Sequence, residues 1–264
     1  MVGCVVGKND SSMKKAIKLI IDVAMGAVIP IIVLERFSGS DRFGAVTAYV
    51  IAALVPLVWV VIDLFFITRK FNFITSYIGF SSIVSGILAF WFVDGVLFAI
   101  KDTVGLLLRV LIFGGSIVIA RPILKYFFIQ ALNPDTPDKA KALAHLFDER
   151  SVGMAFRQAT WLVVIETALA AAVNFYLNLR FVLAPFGTEL FNQQVAFVNA
   201  ITRVVLTIPS VVVFSIAMWM MYRAVYQHLP SEAGKSKLES DFWDLVNKRE
   251  AGRIAQGLDY SAET

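Results

Sequence analysis

Six long apolar runs, separated by short polar segments, restrict what this 264-residue chain can fold into. A helix of about 20 apolar residues rises about 30 Å, which matches the hydrocarbon thickness of a lipid bilayer. Each run is long enough, or nearly so, to cross a membrane as one helix. We therefore predict an all-α fold, a polytopic bundle of six transmembrane helices. The predicted spans are residues 17–35, 45–67, 73–92, 103–120, 158–183 and 200–226.

Few charged residues interrupt these runs. Hydrophobic residues make up 58% of the chain and charged residues 17%, whereas soluble domains are about a quarter charged. The membrane domain uses most of the length, so no soluble domain is expected beside it. We divide the chain into a cytoplasmic N-terminal segment (1–16), a transmembrane domain (17–228) and a cytoplasmic tail (229–264) that is amphipathic or disordered.

The basic residues predict the orientation of the spans. Of the 24 Lys and Arg residues, 18 fall before span 1, between spans 2 and 3, between spans 4 and 5, and after span 6. Because cytoplasmic loops are enriched in Lys and Arg, both termini are expected in the cytoplasm. The same rule accounts for the net charge of +4 without a nucleic-acid partner. The opposite side carries Arg36, Arg42, Lys101, Arg180 and Arg203.

The polar connection between spans 4 and 5 contains a helix-start signal. Thr136 is a residue type that caps helices, Pro137 suits the first helical position, and Asp138 favours the first turn. We predict a short helix on the cytoplasmic surface at about 137–149. The residues expected on one face of this helix are Leu143, Leu146 and Phe147.

The tail carries a second helix signal. Residues 236–239 (Ser-Lys-Leu-Glu) resemble a capping box, in which the first and last side chains bond to each other's backbone N–H groups. Two alternatives stay open for the segment that follows: an amphipathic helix on the membrane face, or a solvated tail. Residues at helical spacing there are Phe242, Leu245, Val246 and Arg249.

Ionisable residues inside the apolar runs are the first candidates for function, because each is costly in a bilayer unless it is paired or hydrated. Arg109 in span 4 and Glu166 in span 5 both lie near mid-depth. Helical rise separates them by about 7–8 Å along the membrane normal, so the side chains can meet if the spans are neighbours. Two interpretations stay open: a charged pair that lines a cavity, or a buried ion pair that fixes helix register. Glu166 could also be protonated in lipid-like surroundings.

Other polar residues accompany this pair. Asn174 and Asn178 continue a polar stripe from Glu166 along span 5, which interhelical hydrogen bonds explain as well as a substrate path does. Asp22 is one turn from Lys18, which favours a local ion pair. Asp63 lies about two turns before Arg69 and Lys70 and can contact them at the interface. The candidate intramembrane polar site consists of Arg109, Glu166, Asn174 and Asp63.

Sequence signatures of soluble enzymes are missing. The chain has no phosphate-binding loop, zinc-protease motif, nucleophile elbow or dinucleotide fingerprint. It has one cysteine, and its two histidines fall in predicted loops far from any second ligand. We therefore predict a protein that is not an enzyme and binds neither a metal nor another cofactor.

Four short motifs resemble a known family. They are the loop Ser-Gly-Ser-Asp-Arg-Phe-Gly at 38–44, Pro56, the inner turn Arg-Lys-Phe-Asn at 69–72, and Asn133-Pro134. Over residues 13–227 the chain resembles an uncharacterised family of small bacterial inner-membrane proteins related to intracellular septation protein A. Ala45 departs from the family pattern, in which Pro follows the glycine of the loop. The resemblance implies a multi-pass protein of the bacterial cytoplasmic (inner) membrane, linked to envelope maintenance or septation.

Read physically, the same loop is a tight reversal. Gly39 and Gly44 permit the turn between spans 1 and 2, and the charged residues around them can close a small network at the outer surface. The charged residues are Glu35, Arg36, Asp41 and Arg42.

Two functions follow as hypotheses. The first is a non-enzymatic envelope protein that acts through protein or lipid partners, with the bilayer, envelope or division proteins and a homo-oligomer as expected partners. The alternative is a small-solute or proton-coupled transporter that uses the pair Arg109 and Glu166.

Overall fold

The structure is a computed structural model that describes residues 17–18, 20–68, 73–231 and 240–256, and it is helical throughout those ranges apart from short turns. The all-α prediction is confirmed. Two π-helical turns, Ala24–Val28 and Asp63–Thr68, precede α1 and follow α2. The α-helices are α1 (Ile29–Arg36), α2 (Ala45–Ile62), α3 (Phe73–Ala89), α4 (Gly95–Val118), α5 (Ile123–Leu132), α6 (Pro137–Phe147), α7 (Arg150–Phe181), α8 (Glu189–Val205), α9 (Thr207–Gln227) and α10 (Phe242–Ala255).

Several of these helices have the length and apolar character of membrane spans. Three stretches of the described chain are long and apolar enough to cross a bilayer: Ala45–Ile67, Arg150–Phe181 and Glu189–Gln227. The pair α4 and α5, bent by 93° at its break, makes a fourth if it is one span. Large apolar side chains such as Val118 (83% exposed) lie on the surface, as lipid-facing residues do. The six-span arrangement stays a prediction.

The chain forms two compact units. The first contains residues 1–108 and 168–209, and the second contains residues 109–167 and 210–264. The predicted N-terminal segment (1–16), the inner turn at 69–72 and the capping box at 236–239 lie outside the described residues.

The first unit is built around α8. The Thr188 hydroxyl caps this helix by accepting from the Phe191 N–H at 3.1 Å. Phe191, Val195 and Val198 follow at helical spacing and are buried against α1, α2 and the start of α4. The sequence prediction began its last span at residue 200, because polar residues at 192–194 dilute the apolar run. An amphipathic helix does not need a continuous apolar run, only one apolar face.

A buried amide closes the reversal between α1 and α2. Asn192 of α8 is 1% exposed and donates to the Ser38 Oγ and to the Ala45 carbonyl oxygen, each at 2.7 Å. Gly44 has φ +74°, a conformation that glycine adopts without steric cost. A side chain at Gly39 would meet Asp41 at 2.5 Å. The predicted role of glycine in the turn is confirmed at Gly44, whereas the contact at Gly39 is with the end of the exposed Asp41 side chain, which can move away.

The second unit has an aromatic core. Phe128 of α5 is fully buried, and its ring centroid lies 4.8 to 6.0 Å from those of three other aromatic residues. Edge-to-face contacts of this kind are favoured by the charge distribution of the rings. The three neighbours are Phe147 of α6, Phe156 of α7 and Tyr222 of α9.

Helix α6 begins as predicted. The Thr136 hydroxyl accepts from the Lys139 N–H at 3.3 Å, with Pro137 at the first helical position. The three residues expected on one face are buried together, which fixes the side that α6 presents to the unit. They are Leu143, Leu146 and Phe147.

The described part of the tail is a helix that packs on α6. Asp241 caps it by accepting from the Trp243 and Asp244 N–H groups. Leu245 and Val246 are buried in the protein, whereas an apolar membrane-facing side was one of the two alternatives for this segment. Two polar contacts fix α10 in place: His145 Nδ1 to Glu250 Oε1 at 2.8 Å, and Arg249 to Glu149 at 2.6 Å.

Helix α4 ends in a left-handed residue that is not glycine. Ala120 has φ +55°, its N–H bonds the Ile117 carbonyl oxygen, and the Arg121 N–H bonds the Ser116 carbonyl oxygen. These are the two hydrogen bonds of a Schellman cap, in which glycine usually takes the left-handed position. Pro122 follows and prevents the helix from continuing.

We expect Ala120→Gly to raise the free energy of unfolding by about 0.5–1 kcal/mol, because a left-handed alanine is strained and a glycine is not. Chemical denaturation in a mild detergent measures the change. Ala140→Gly, on an exposed face inside α6, is the control and should lose about 1 kcal/mol. If Ala120→Gly lowered the free energy of unfolding as much as Ala140→Gly does, Ala120 would not be a strained position.

Candidate functional site

The four residues of the predicted polar site belong to different units. Asp63 and Asn174 are in the first unit, and Arg109 and Glu166 are in the second. The structure pairs each of the residues Asp63, Asn174 and Glu166 with a partner that the sequence prediction did not name.

Glu166 is hydrogen-bonded to a hydroxyl group. Ser210 of α9 donates to its Oε1. The Thr167 hydroxyl lies 3.3 Å from its Oε2 but makes a shorter bond, of 2.8 Å, to the Val163 carbonyl oxygen. Arg109 also takes part in an interaction within the structure. The direct pair between Arg109 and Glu166 stays a prediction.

Asn174 belongs to a polar cluster around Asp102. The Asn174 and Asn178 amides donate to the same carboxylate oxygen of Asp102, at 3.0 and 2.7 Å. Asn174 also donates to Thr103 at 3.2 Å. Both asparagines are buried, so interhelical hydrogen bonding between α7 and α4 accounts for the predicted polar stripe at this end.

Asp63 forms an ion pair with Lys18. The Lys18 ammonium lies 2.9 Å from Asp63 and 3.1 Å from Asp22, so the predicted pair of Lys18 with Asp22 is confirmed. The Trp59 indole N–H donates to Asp22 at 2.9 Å. The expected contacts of Asp63 with residues 69–70 lie outside the described residues.

This charged cluster borders a cavity of about 300 Å³, which we call the Asp63 cavity. It contains one cation and two carboxylates at one end and apolar walls elsewhere. Its lining residues are Lys18, Asp22, Gly26, Pro56, Trp59, Val60, Asp63 and Leu64.

A second cavity of about 300 Å³, the Lys101 cavity, lies where five helices of the first unit and the π-helical turn at 24–28 converge. Its charged lining comes from α4 and α8, and its apolar lining comes chiefly from α1, α2 and α3. Its charged residues are Lys101, Asp102 and Arg203.

Lys101 is the most deeply placed cation of this cavity. It is 6% exposed, donates to the Trp91 carbonyl oxygen at 2.5 Å, and lies 4.9 Å from the ring centroid of Tyr49. A cation over an aromatic face gains about 0.5–2 kcal/mol, which offsets part of the cost of burial. Arg203, by contrast, is exposed, and its guanidinium donates to the Gly26 carbonyl oxygen at 2.9 Å.

One face of α2 lines both cavities. Tyr49, Ala52, Ala53 and Pro56 line the Lys101 cavity, and Pro56, Trp59, Val60 and Asp63 line the Asp63 cavity. These positions recur every three or four residues, which is the spacing of a single helix face. From residue 49 to residue 63 the face extends about 21 Å by helical rise.

The two cavities share lining residues in irregular backbone. Gly26 and Pro56 belong to the lining of both. Gly26 lies in the π-helical turn before α1, and such turns are frequent at functional sites. Pro56 has no N–H, so the Ala52 carbonyl oxygen lacks its usual helical donor.

The sequence prediction used Lys101 and Arg203 only as markers of the outer side, and did not consider Asp102. The sequence did mark this site, since two adjacent charged residues, Lys101 and Asp102, stand at the start of an apolar helix. Their partners lie ten or more positions away and could not be predicted from the adjacent sequence. Among the described residues no group of three or more His, Cys, Asp or Glu side chains is placed to hold a metal ion.

Comparison with known proteins adds no assignment. No protein-family model, no curated protein and no solved structure matches this chain. Its function has to be inferred from its own residues.

Proposed function

We propose that this chain is a six-span protein of a bacterial cytoplasmic membrane and that its first unit conducts a small solute along one face of α2. The observation that carries this proposal is the pair of cavities that share Gly26 and Pro56. With both termini in the cytoplasm, the predicted orientation assigns Lys18, Asp22 and Asp63 to the cytoplasmic half and Lys101 and Arg203 to the outer half.

Transporters bind their solutes near the bilayer midplane, where helices are interrupted and irregular backbone lines a cavity. The π-helical turn at 24–28 and Pro56 supply that irregularity in the first unit. The transporter hypothesis is thus retained, but its residues are those of the two cavities and not the pair Arg109 and Glu166. No nucleophile or general acid is required for this role.

The proposal is tested by chemical labelling of single cysteines in a variant whose own cysteine, Cys4, is replaced by serine. A cysteine at Ala53, in the Lys101 cavity, should react with a small aqueous thiol reagent, because only a hydrated thiol ionises. A cysteine at Val58, which is 50% exposed and lines neither cavity, should not react in the membrane. Failure of the Ala53→Cys thiol to react would refute the proposal. Labelling at Arg109→Cys or Glu166→Cys instead would move the path to the second unit.

A role in envelope maintenance or septation, through protein or lipid partners, is the second candidate. The loop at 38–44 that carries much of the family resemblance supports it, and Asn192 holds that loop in one conformation. Crosslinking in cells followed by purification tests this role. Repeated failure to recover any envelope or division protein would count against it.

A further inference from the structure

The Lys101 cavity contains a buried cation whose hydrogen-bonding capacity is only partly used. An ammonium carries three N–H donors. In the part of the chain that the structure describes, the Lys101 ammonium bonds the Trp91 carbonyl oxygen and faces the Tyr49 and Phe98 rings. Its contacts there are a carbonyl and aromatic faces, not a carboxylate. Burying a cation in this way is costly unless an anion or further acceptors join it.

Asp102 is near enough for its negative charge to act on Lys101, but in the described part of the chain no ion pair within 4 Å joins the two side chains. Residues adjacent in a helix point in different directions, and Asp102 is bonded to Asn174 and Asn178 of α7. The Lys101 cavity is therefore lined by two cations, Lys101 and Arg203, and one carboxylate. These three side chains carry a net charge of +1, which a ligand with a single negative charge neutralises.

The cavity is small, and most of its remaining lining is apolar, apart from Tyr49, Ser85 and Asn199. At about 300 Å³ it is at the lower end of ligand pockets. Proline, aliphatic and aromatic side chains form its walls, so a ligand that is charged at one end and apolar elsewhere fits the lining. These wall residues are Pro30, Ile31, Leu34, Leu88, Phe98 and Val195.

We infer that the Lys101 cavity binds a singly charged anionic group carried on an apolar body, with Lys101 and Arg203 holding the charge. This inference rests on the proposed function and names the class of solute. The anionic group can belong to a small soluble amphiphile or to the headgroup of an anionic lipid. Both asparagine amides donate to Asp102 Oδ2, so its Oδ1 is the oxygen that we assign to accept from a hydroxyl of the ligand.

The experiment measures thermal unfolding of the full chain in a neutral detergent with four probes. Hexanesulfonate is permanently anionic, hexanol is neutral, hexyltrimethylammonium is cationic, and dihexanoyl-phosphatidylglycerol is the lipid headgroup. A ligand at a hundred times its Kd should raise the Tm by roughly 5 °C. We expect this rise with the two anions and not with hexanol or the cation. The anion that raises the Tm more shows whether the cavity prefers a small soluble amphiphile or a lipid headgroup.

Three substitutions locate the effect. Lys101→Gln and Arg203→Gln should each weaken binding of the anion at least about tenfold, since hydrogen bonds to charged groups are the strong ones. Lys101→Gln should fold, because an amide costs less to bury than an ammonium. Arg180→Gln removes an exposed cation that does not line the cavity and should bind like the unmodified chain. The inference would be overturned if Lys101→Gln and Arg203→Gln bound the anion as tightly as the unmodified chain, or if hexanol stabilised the chain as much as hexanesulfonate.

A fourth substitution separates this inference from the proposed function. Gly105 lines the cavity, and a Cβ there meets nothing within 4 Å, so Gly105→Leu fills space without a clash at that atom. It should abolish the effect of every probe that binds in the cavity. If neutral and anionic probes stabilise equally and Gly105→Leu removes both effects, the anion preference is wrong and the cavity remains a site. If Gly105→Leu leaves anion binding intact, the cavity itself is not the site, and the proposed function fails with it.

Discussion

Replacing Phe128 with alanine is expected to lower the free energy of unfolding by about 3–5 kcal/mol. The Phe128 side chain is fully buried in the second unit and contacts the rings of Phe147, Phe156 and Tyr222. Alanine would leave a cavity that those rings can only partly fill, and three aromatic contacts would be lost. Chemical denaturation of the purified chain in a mild detergent measures the loss.

Phe214→Ala is the matched control for this prediction. Phe214 of α9 belongs to the same unit but is 45% exposed, so its removal deletes contacts mainly with detergent or lipid. We expect a change below about 1 kcal/mol, as for other surface positions. A similar loss for Phe128→Ala and Phe214→Ala would contradict the aromatic core.

Replacing Asn192 with alanine should cost about 2–3 kcal/mol. The substitution removes two hydrogen bonds of 2.7 Å that join α8 to the reversal between α1 and α2. Each bond contributes about 0.5–1.5 kcal/mol, and the lost side-chain volume adds to this. The same denaturation measurement gives the value.

Gln193→Ala provides the comparison for Asn192. Gln193 is the next residue of α8, is exposed, and bonds Glu189 on the same helix at 3.1 Å. Its loss should change the free energy of unfolding by no more than about 0.5 kcal/mol. If Asn192→Ala is as mild as Gln193→Ala, the loop at 38–44 does not depend on the buried amide.

Local sequence predicted the features that depend on local contacts. The Thr136 cap and the Lys18–Asp22 pair join residues no more than four apart, and their residue types specify them directly. The helical content follows from apolar runs of bilayer length. Glycine at position 44 follows from the tight turn that the reversal requires.

The candidate site could not be predicted in the same way. Asn174 bonds Asp102, which is 72 positions away, and Asn192 bonds Ser38 at a separation of 154. Helical periodicity gives the face on which a residue lies but not the helix that it meets. The two cavities are harder still to predict from sequence. Their shape depends on how several helices and a π-helical turn pack together and not on any single motif.

Helix α8 shows a different limit. A hydropathy window treats residues 189–199 as a polar connection, since two glutamines and two asparagines interrupt the apolar residues. The structure buries one side of this segment against α1 and α2 and leaves the other exposed. A window average hides this arrangement, whereas a test for helical periodicity detects it.

The accessibility of single cysteines from each side of the membrane tests most directly whether the first unit contains a path for solute. Ala53 lines the Lys101 cavity and Val60 lines the Asp63 cavity, on the same face of α2. In inverted and right-side-out vesicles, we expect a membrane-impermeant thiol reagent to label Ala53→Cys from the outer side and Val60→Cys from the cytoplasmic side, with Val58→Cys unlabelled from either. Labelling of both cavity positions from one side, or of Val58→Cys as readily as the others, would contradict a path along α2.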